Sequence, residues 1–334
     1  MQDFTWAPVR RDSQRFASPR FTELSYQSPA ASLLAPGATA PGESPLITTP
    51  QPFDRAVLSW NGEGRWRLEM RLQINNVFTP YFLLGVLDGA NQRSAMKTET
   101  APPDPTLPVS LDLDTLAVKG SAKATAFQVR ATGEGNLRSL AVTHYRRDER
   151  RYTDQPVLRD AWGTILPVPE RAQRDVEDPA IGGIVCSPTS LSMVLEYLGS
   201  RYRTIEVARA AFDPQGKLYG NWPCNTGAAA RLIKGGGWSA VVKMTGFDEL
   251  ESEIAARRPV VISHRWERGD LTNAPISHSN GHLIVAVGFT KEGDVVVNDP
   301  AAKAGEVRRI YKRRELFRTW QERGEGIAYL IQRA

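Results

Sequence analysis

Between residues 53 and 145, apolar and polar residues tend to alternate, in short runs. The clearest are AVLSW, RWRLEMRLQI, YFLLGVLD, SLDLDTLAV, TAFQVRAT and LRSLAVTHY, with Gly, Pro, Asn or Asp as punctuation. In RWRLEMRLQI, Trp66, Leu68, Met70 and Leu72 face one way, while Arg65, Arg67, Glu69 and Arg71 face the other. Successive strand side chains point to opposite faces, so this is a strand half buried in an antiparallel sheet. Several such strands at short spacing predict an all-β sandwich or jelly-roll-like domain. Ahead of them, residues 30–52 are rich in Pro, Ala, Gly and Ser and read as a loop-rich lead-in with one short strand at most. The β-rich part ends near Tyr145, where the charged run RRDERR begins. Residues 146–170, with Pro156, Pro167 and Pro169, read as a linker.

The second half has a different texture. SPTSLSMVLEYLG places Leu191, Val194, Leu195 and Leu198 on one helical face, with Pro188 in the first turn and Gly199 after the end. TIEVARAAF, NTGAAARLI and FDELESEIAARR follow as helices, the last with Leu250, Ile254 and Ala255 as its apolar positions. Strands come afterwards: PVVISH, HLIVAVGF, DVVVND and GIAYLIQ. Helices first and antiparallel strands later predict an α+β domain. The expected division is a β-sandwich domain over residues 1–150 and an α+β domain over 151–334.

Composition narrows the picture. A chain of 334 residues with 41% hydrophobic and 24% charged residues suits two ordinary cores. No run approaches the ~20 apolar residues needed to cross a bilayer. A net charge of +5, spread over the chain, falls short of a nucleic-acid footprint. The start, MQDFTWAPVRRDSQRF, has no secretory apolar run. A cytoplasmic location is expected if Met1 is native, and secretion if a leader was removed. Two cysteines, Cys186 and Cys224, exclude a disulfide scaffold and a cysteine-rich zinc site, and leave room for one bridge between them.

Cys186 lies at the mouth of the first helix. Free N–H groups and the positive end of the helix dipole favour thiolate there, and thiolate is the attacking form. The plain alternative is a small buried residue ahead of a helix. His282 begins an apolar strand behind Gly281, which has no side chain to block access. Asp299 ends the next strand, before Pro300. If these strands form a hairpin, His282 and Asp299 become neighbours. A carboxylate beside a histidine sets its tautomer and stabilises the imidazolium.

These residues carry a resemblance. CSPTSLSMVL, YGNWPCNTGAAA, RRPVVISHRW, GHLIVAVGF and VVVNDPAA occur in the order found in papain-like cysteine peptidases of the bacteriocin-processing, double-glycine leader type. The second half is similar to their stand-alone relatives over about residues 165 to 333. The resemblance implies Cys186 as nucleophile, His282 as general base and acid, and Asp299 as orienter. It also implies an upstream glutamine at the oxyanion hole, and Gln173 in VPERAQRD is the matching position. It implies no metal or organic cofactor. FDRAVLSWNGEGRWRLEMRLQ and LDTLAV…ATAFQVRA resemble, more loosely, the β-rich domain ahead of this peptidase in some relatives.

Other residues have rival readings. Trp222 and Asn221 could wall a substrate cleft, or pack at a core rim and hold a loop. His264 could line the cleft or cap its strand, and Trp266 is equally ambiguous. Cys224 stands where an aromatic residue is expected; Pro223 suggests a loop, and a structural role is favoured. His278 is a rival base but sits in a polar loop. HSNGH spaces two histidines four apart, yet Asn280 and Gly281 break a helix, so no zinc site is expected. Asn298 should face away from Asp299 and support it. KGGGW reads as a turn. His144 reads as a surface residue. Trp60, Trp66 and Tyr81 could form a carbohydrate or cell-surface platform, although the alternation turns Trp66 toward the core.

The expected function is hydrolysis of peptide bonds in a peptide or protein substrate. The alternatives are a same-triad amidase or acyltransferase on cell-wall or isopeptide bonds, and a non-catalytic two-domain binding protein.

Overall fold

The computed structural model describes residues 5–27, 42–96 and 107–333. The chain divides into two compact units, Met1–Arg147 with Phe212–Gly227, and Asp148–Ala211 with Ala228–Ala334. A short stretch inside the second half thus belongs to the first unit, which a division at a single point does not provide for.

The first unit contains β1 (Thr5–Pro8), β2 (Phe21–Gln27), β3 (Gly42–Glu43), β4 (Ile47–Phe53), β5 (Arg55–Ile74), β6 (Val77–Phe78), β7 (Phe82–Gly89), β8 (Asn91–Ser94), β9 (Val109–Asp112), β10 (Thr115–Val118) and β11 (Ala124–Tyr145). The described part of the lead-in therefore holds two strands, β3 and β4, where one at most was expected. Residues 30–41 of it lie outside the described residues.

AVLSW and RWRLEMRLQI are one strand, β5, and TAFQVRAT and LRSLAVTHY are one strand, β11. The two pair antiparallel from Arg55↔Tyr145 to Gln73↔Ala126. The glycines between the runs are not turns. Gly64 faces Gly135 across the pair. A Cβ on Gly133, at φ +151°, would lie 1.8 Å from the Arg65 carbonyl oxygen. The backbones can approach this closely only without side chains.

Each long strand changes neighbours along its length. β5 pairs with β10 at one end and β7 at the other, and β11 pairs with β2, β3 and β4 in turn. The described strands therefore join into one continuous eleven-stranded sheet. The length of β5 and β11 joins strands that the glycines divide in the sequence.

The alternation of β5 is reproduced in burial, with Trp66, Leu68, Met70 and Leu72 inside. Trp60 is also buried, and its Nε1 donates to Gln92 Oε1 at 2.9 Å. Neither tryptophan is available as a surface platform. Tyr81 is half-buried, with the Arg130 guanidinium 4.0 Å from its ring centre. His144 is a further correction. It is 3% exposed, between Phe53 and Phe127, with Nε2 3.2 Å from Thr22 Oγ1. Burial, helped by Arg20, pushes its pKa down to about 3. The charged run begins just beyond it and gives no sign of this inward face.

Within the same unit, Asp213 accepts the Ser94 N–H at 3.0 Å, and Gln92 Nε2 donates to the Cys224 carbonyl at 2.5 Å. Cys224 is fully buried in this hydrophobic core.

The second unit holds α1 (Cys186–Tyr197), α2 (Thr204–Ala211), α4 (Phe247–Ala255) and α5 (Arg313–Phe317), which runs into a π-helical turn at Arg318–Arg323. The boundary between the units falls inside α3 (Trp222–Leu232). Its sheet is antiparallel: β12 (Gly237–Lys243), β17 (Ile327–Arg333), β13 (Val260–Trp266), β14 (Ser279–Phe289), β15 (Val295–Asn298) and β16 (Arg308–Tyr311), in that spatial order. β12 and β16 were not anticipated.

Residues 148–170 are part of this unit rather than a linker. Leu166 N–H donates to the Val287 carbonyl at 2.8 Å, and the Val157 and Leu158 N–H groups donate to the buried Glu251 carboxylate. Arg313 closes the arrangement on the other carboxylate oxygen at 2.9 Å.

Candidate active site

α1 is buried on all sides from Ser187 to Leu195, not on one face only. Its hydroxyls make this tolerable, because a buried polar group needs a partner. Thr189 Oγ1 donates to the Val185 carbonyl at 2.7 Å and Ser192 Oγ to that of Thr189 at 2.7 Å. Ser190 Oγ donates to the Leu283 carbonyl on β14 at 3.0 Å, and Ser187 Oγ lies 3.3 Å from Tyr329 Oη on β17. These contacts seat the first residue of the helix, Cys186, against β14, the strand that carries His282.

Cys186 is a free, half-buried thiol. Burial opposes charge on its sulfur. The hydrogen bond and charge of His282, with the Leu283 and Ser187 N–H groups, outweigh this and hold its pKa below the ordinary thiol value.

β14 pairs with β15 in antiparallel register, Val285 opposite Asn298. The start of one strand therefore lies beside the end of the other. His282 Nε2 is 2.7 Å from Asp299 Oδ1. His282 is 3% exposed and Asp299 is fully buried. Burial pushes the imidazole down, but Asp299 and Cys186 raise its pKa to about 10. Burial likewise opposes the Asp299 charge, and His282 and the Tyr311 hydroxyl bring its pKa to about 2. The Ala301 N–H also donates to Asp299 Oδ1, at 2.9 Å.

Gln173 lies in a tight turn, Gln173–Asp175, and is 6% exposed. Its N–H donates to the Pro300 carbonyl at 2.7 Å, next to Asp299. Its side-chain oxygen is buried and has no partner among the described residues. Asn298 Oδ1 accepts from Arg308 Nε at 2.6 Å, and its Nδ2 donates to the Val168 and Pro169 carbonyls at 3.2 and 3.1 Å. That ties the segment carrying Gln173 to the strand carrying Asp299.

His264 stands opposite His282 in the sheet and is fully buried, so it lines no open cleft. Its ring stacks on Trp266 at 4.6 Å and lies 5.6 Å from His282. Burial and the neighbouring His282 hold its pKa down, to about 3. Trp266 is buried too, edge-on to His282 at 5.7 Å. The pair forms an apolar wall behind the imidazole.

Asn221 and Trp222 fall in the first unit. Asn221 is 1% exposed and caps α3, accepting the Cys224 N–H at 3.1 Å. It holds a backbone turn and is not open to a substrate. Trp222 N–H donates to Asp114 Oδ2 at 3.0 Å. Pro223 occupies the first turn of α3 rather than a loop, where its missing N–H costs nothing. Both cysteines are free, so no bridge joins them. His278 is exposed, 3.1 Å from Ser277 Oγ, and takes no part in the His282 pair. Among the described residues no cluster of three or more His, Cys, Asp or Glu could hold a metal.

A cavity of about 510 Å³ opens beside the Gln173 turn, lined among others by Arg171, Glu177, Arg203, Glu206 and Gly305. Cys186, His282 and Asp299 do not line it.

Residues 165–327 match the model of the Peptidase_C39 like family. This stretch of the second half is similar to the cysteine peptidases of that family. Two solved structures are similar to part of the chain. A double glycine motif protease from an AMS/PCAT transporter, in complex with the leader peptide, is 20% identical over 55% of this chain and 100% of its own, with a TM-score of 0.33. Xylellain, a cysteine protease from Xylella fastidiosa, is 11% identical over 56% of this chain and 92% of its own, with a TM-score of 0.32. Among curated protein sequences none matches significantly. No described helix is long and apolar enough to cross a membrane.

Tyr311, His264 and Trp266 surround the His282–Asp299 pair; the sequence offers His264 and Trp266 as cleft candidates but gives no sign of Tyr311. The run RRIY is too short to announce a strand. The pairing of β16 with β15, which carries Tyr311 to the site, is visible only in the sheet.

Proposed function

We propose that the peptidase domain hydrolyses peptide bonds with Cys186 as nucleophile, His282 as general acid and base, Asp299 as orienter and Gln173 as an oxyanion donor. The observation that carries this reading is the pairing of His282 with Asp299 at 2.7 Å, with Cys186 hydrogen-bonded to the same imidazole. A raised imidazole and a lowered thiol both favour a thiolate–imidazolium pair.

In the reaction the Cys186 thiolate adds to the carbonyl carbon of the scissile bond. Negative charge moves to the carbonyl oxygen, where the Cys186 N–H and the Gln173 carboxamide donate to it. Collapse breaks the C–N bond, and the imidazolium gives its proton to the departing amine. Neutral His282 then takes a proton from water, and the hydroxide formed attacks the thioester. Cys186 leaves as thiolate and the imidazolium is restored. Asp299 remains ionised throughout and holds the ring through Nε2.

The test is alkylation of the wild-type chain, Cys186→Ala and Cys224→Ala by iodoacetamide over a range of pH. Labelled sites are identified by mass spectrometry, and peptide-library cleavage is run in parallel. Cys186 should label fast well below the usual thiol range. Cys224 should stay inert, because burial and the nearby Asp213 and Asp114 raise its thiol pKa. Cleavage should vanish in Cys186→Ala and persist in Cys224→Ala. An inert Cys186, or cleavage that survives its removal, would overturn the reading.

A further inference from the structure

Asp299 is gripped by donors from three directions. His282 Nε2 and the Ala301 N–H both approach Oδ1, at 2.7 and 2.9 Å. The other oxygen, Oδ2, accepts from the Tyr311 hydroxyl at 2.5 Å. Tyr311 ends β16 opposite Val295 and is fully buried.

The two contacts on Oδ1 hold only one of the two carboxylate oxygens. A donor on Oδ2 fixes the plane. The space around the carboxylate gives Oδ2 little chance of replacing that donor with water, because the residue is fully buried. A charged oxygen left unpaired in such a place is strongly disfavoured.

We propose that Tyr311 is a positioning residue for the peptidase reaction: its hydroxyl locks the Asp299 carboxylate with Oδ1 aimed at His282, and so sustains the imidazolium that keeps Cys186 ionised. The inference rests on the catalytic roles given above and adds a residue to them. Tyr311 touches no reacting atom and acts through Asp299 alone.

The charged and titratable neighbours come from every adjoining strand. They are His282 on β14, His264 on β13, and Tyr311 itself with Arg309 on β16; Cys186 acts through His282 from α1. Burial and the adjacent carboxylate hold the phenol far above its ordinary range, so it stays a donor wherever the chain is folded. His264 stays neutral above about pH 3. Across the neutral and mildly acid range the charge on the Asp299–His282–Cys186 chain is therefore set by those three groups, with Tyr311 as a fixed donor.

Tyr311→Phe removes the hydroxyl and keeps the ring. Loss of one hydrogen bond to a charged acceptor raises the proton affinity of Asp299 and loosens its hold on His282. The acid limb of Cys186 alkylation should move up by about one pH unit, and kcat should fall about tenfold with KM unchanged. In an Asp299→Asn background the same substitution should add little, because the group it acts through has lost its charge. A purely structural tyrosine would lower the melting temperature and leave both the limb and the kcat of the folded enzyme in place. That result overturns the proposal.

If wild-type Cys186 alkylates as an ordinary thiol at every pH, the catalytic reading fails and this inference with it. A normal wild-type limb with an unmoved Tyr311→Phe limb overturns the positioning role alone. If Tyr311→Phe does not fold, proton NMR of the unmutated chain decides the question. A downfield Tyr311 hydroxyl proton with cross-relaxation to the His282 Nε2 proton is expected, and its absence overturns the proposal.

Discussion

His282 Nε2 and Asp299 Oδ1 are 2.7 Å apart, and the residue pair bridges the end of one strand and the start of its neighbour. The contact couples burial to charge. Both groups are almost completely enclosed, and each is kept ionised mainly by the other.

Replacing Asp299 with Asn keeps the shape and removes the charge. The imidazole pKa should fall toward or below its ordinary value, and the thiolate should lose its counter-ion. Turnover of a peptide substrate should drop on the order of 10²-fold. The low-pH labelling of Cys186 should weaken in parallel, read by the same alkylation titration. Equal labelling in the two proteins would remove Asp299 from the scheme.

Asp114, in the first unit, offers a pH test away from the site. Burial raises its carboxyl to about 6, against the Trp222 N–H and Thr115 hydroxyl that donate to it. The folded chain therefore holds a proton between about pH 4 and 6 that the unfolded chain has released. Stability contributed by this group is present below that window and is lost as pH rises through it. Asp114→Asn removes the titration. Relative to wild type, the variant should gain on the order of 2–3 kcal/mol between pH 4 and 7. Denaturant unfolding of both chains at the two pH values checks this, and a pH-independent difference would refute it.

Glu251 and Arg313 form a buried ion pair at 2.9 Å. The carboxylate also accepts the Val157 and Leu158 N–H groups and Trp162 Nε1. Glu251→Gln leaves Arg313 unpaired and turns an amide toward donors. It should cost about 3–5 kcal/mol, measured by denaturant unfolding. Early proteolysis should fall within residues 148–165, the segment that the carboxylate tethers.

Local pattern carried the element types a long way. The alternation around Trp66 and Met70 marked a strand, and the cap and apolar spacing marked α1, α2 and α4. Strand order alone was enough to suggest that His282 would meet Asp299. The breaks were less legible. Gly64 and Gly133 look like turn residues in sequence, yet they lie inside strands, because a close backbone crossing and a turn both require glycine. His144 looks solvated beside RRDERR, but its own position in β11 points it at Phe53 and Phe127.

The sequence by itself determined the helices and the longer apolar strand segments, since hydrophobic periodicity and capping act over a few residues. Tertiary structure alone decided which polar groups are buried and charged. Glu251 reads as a surface residue of a helix until Arg313, 62 residues later, is brought against it. Asn221 reads as a cleft residue until it is seen capping α3. Tyr311 has no evident role until β16 sets it on Asp299. A buried charge is tolerated only when its partner is in place, and that partner is supplied by the fold.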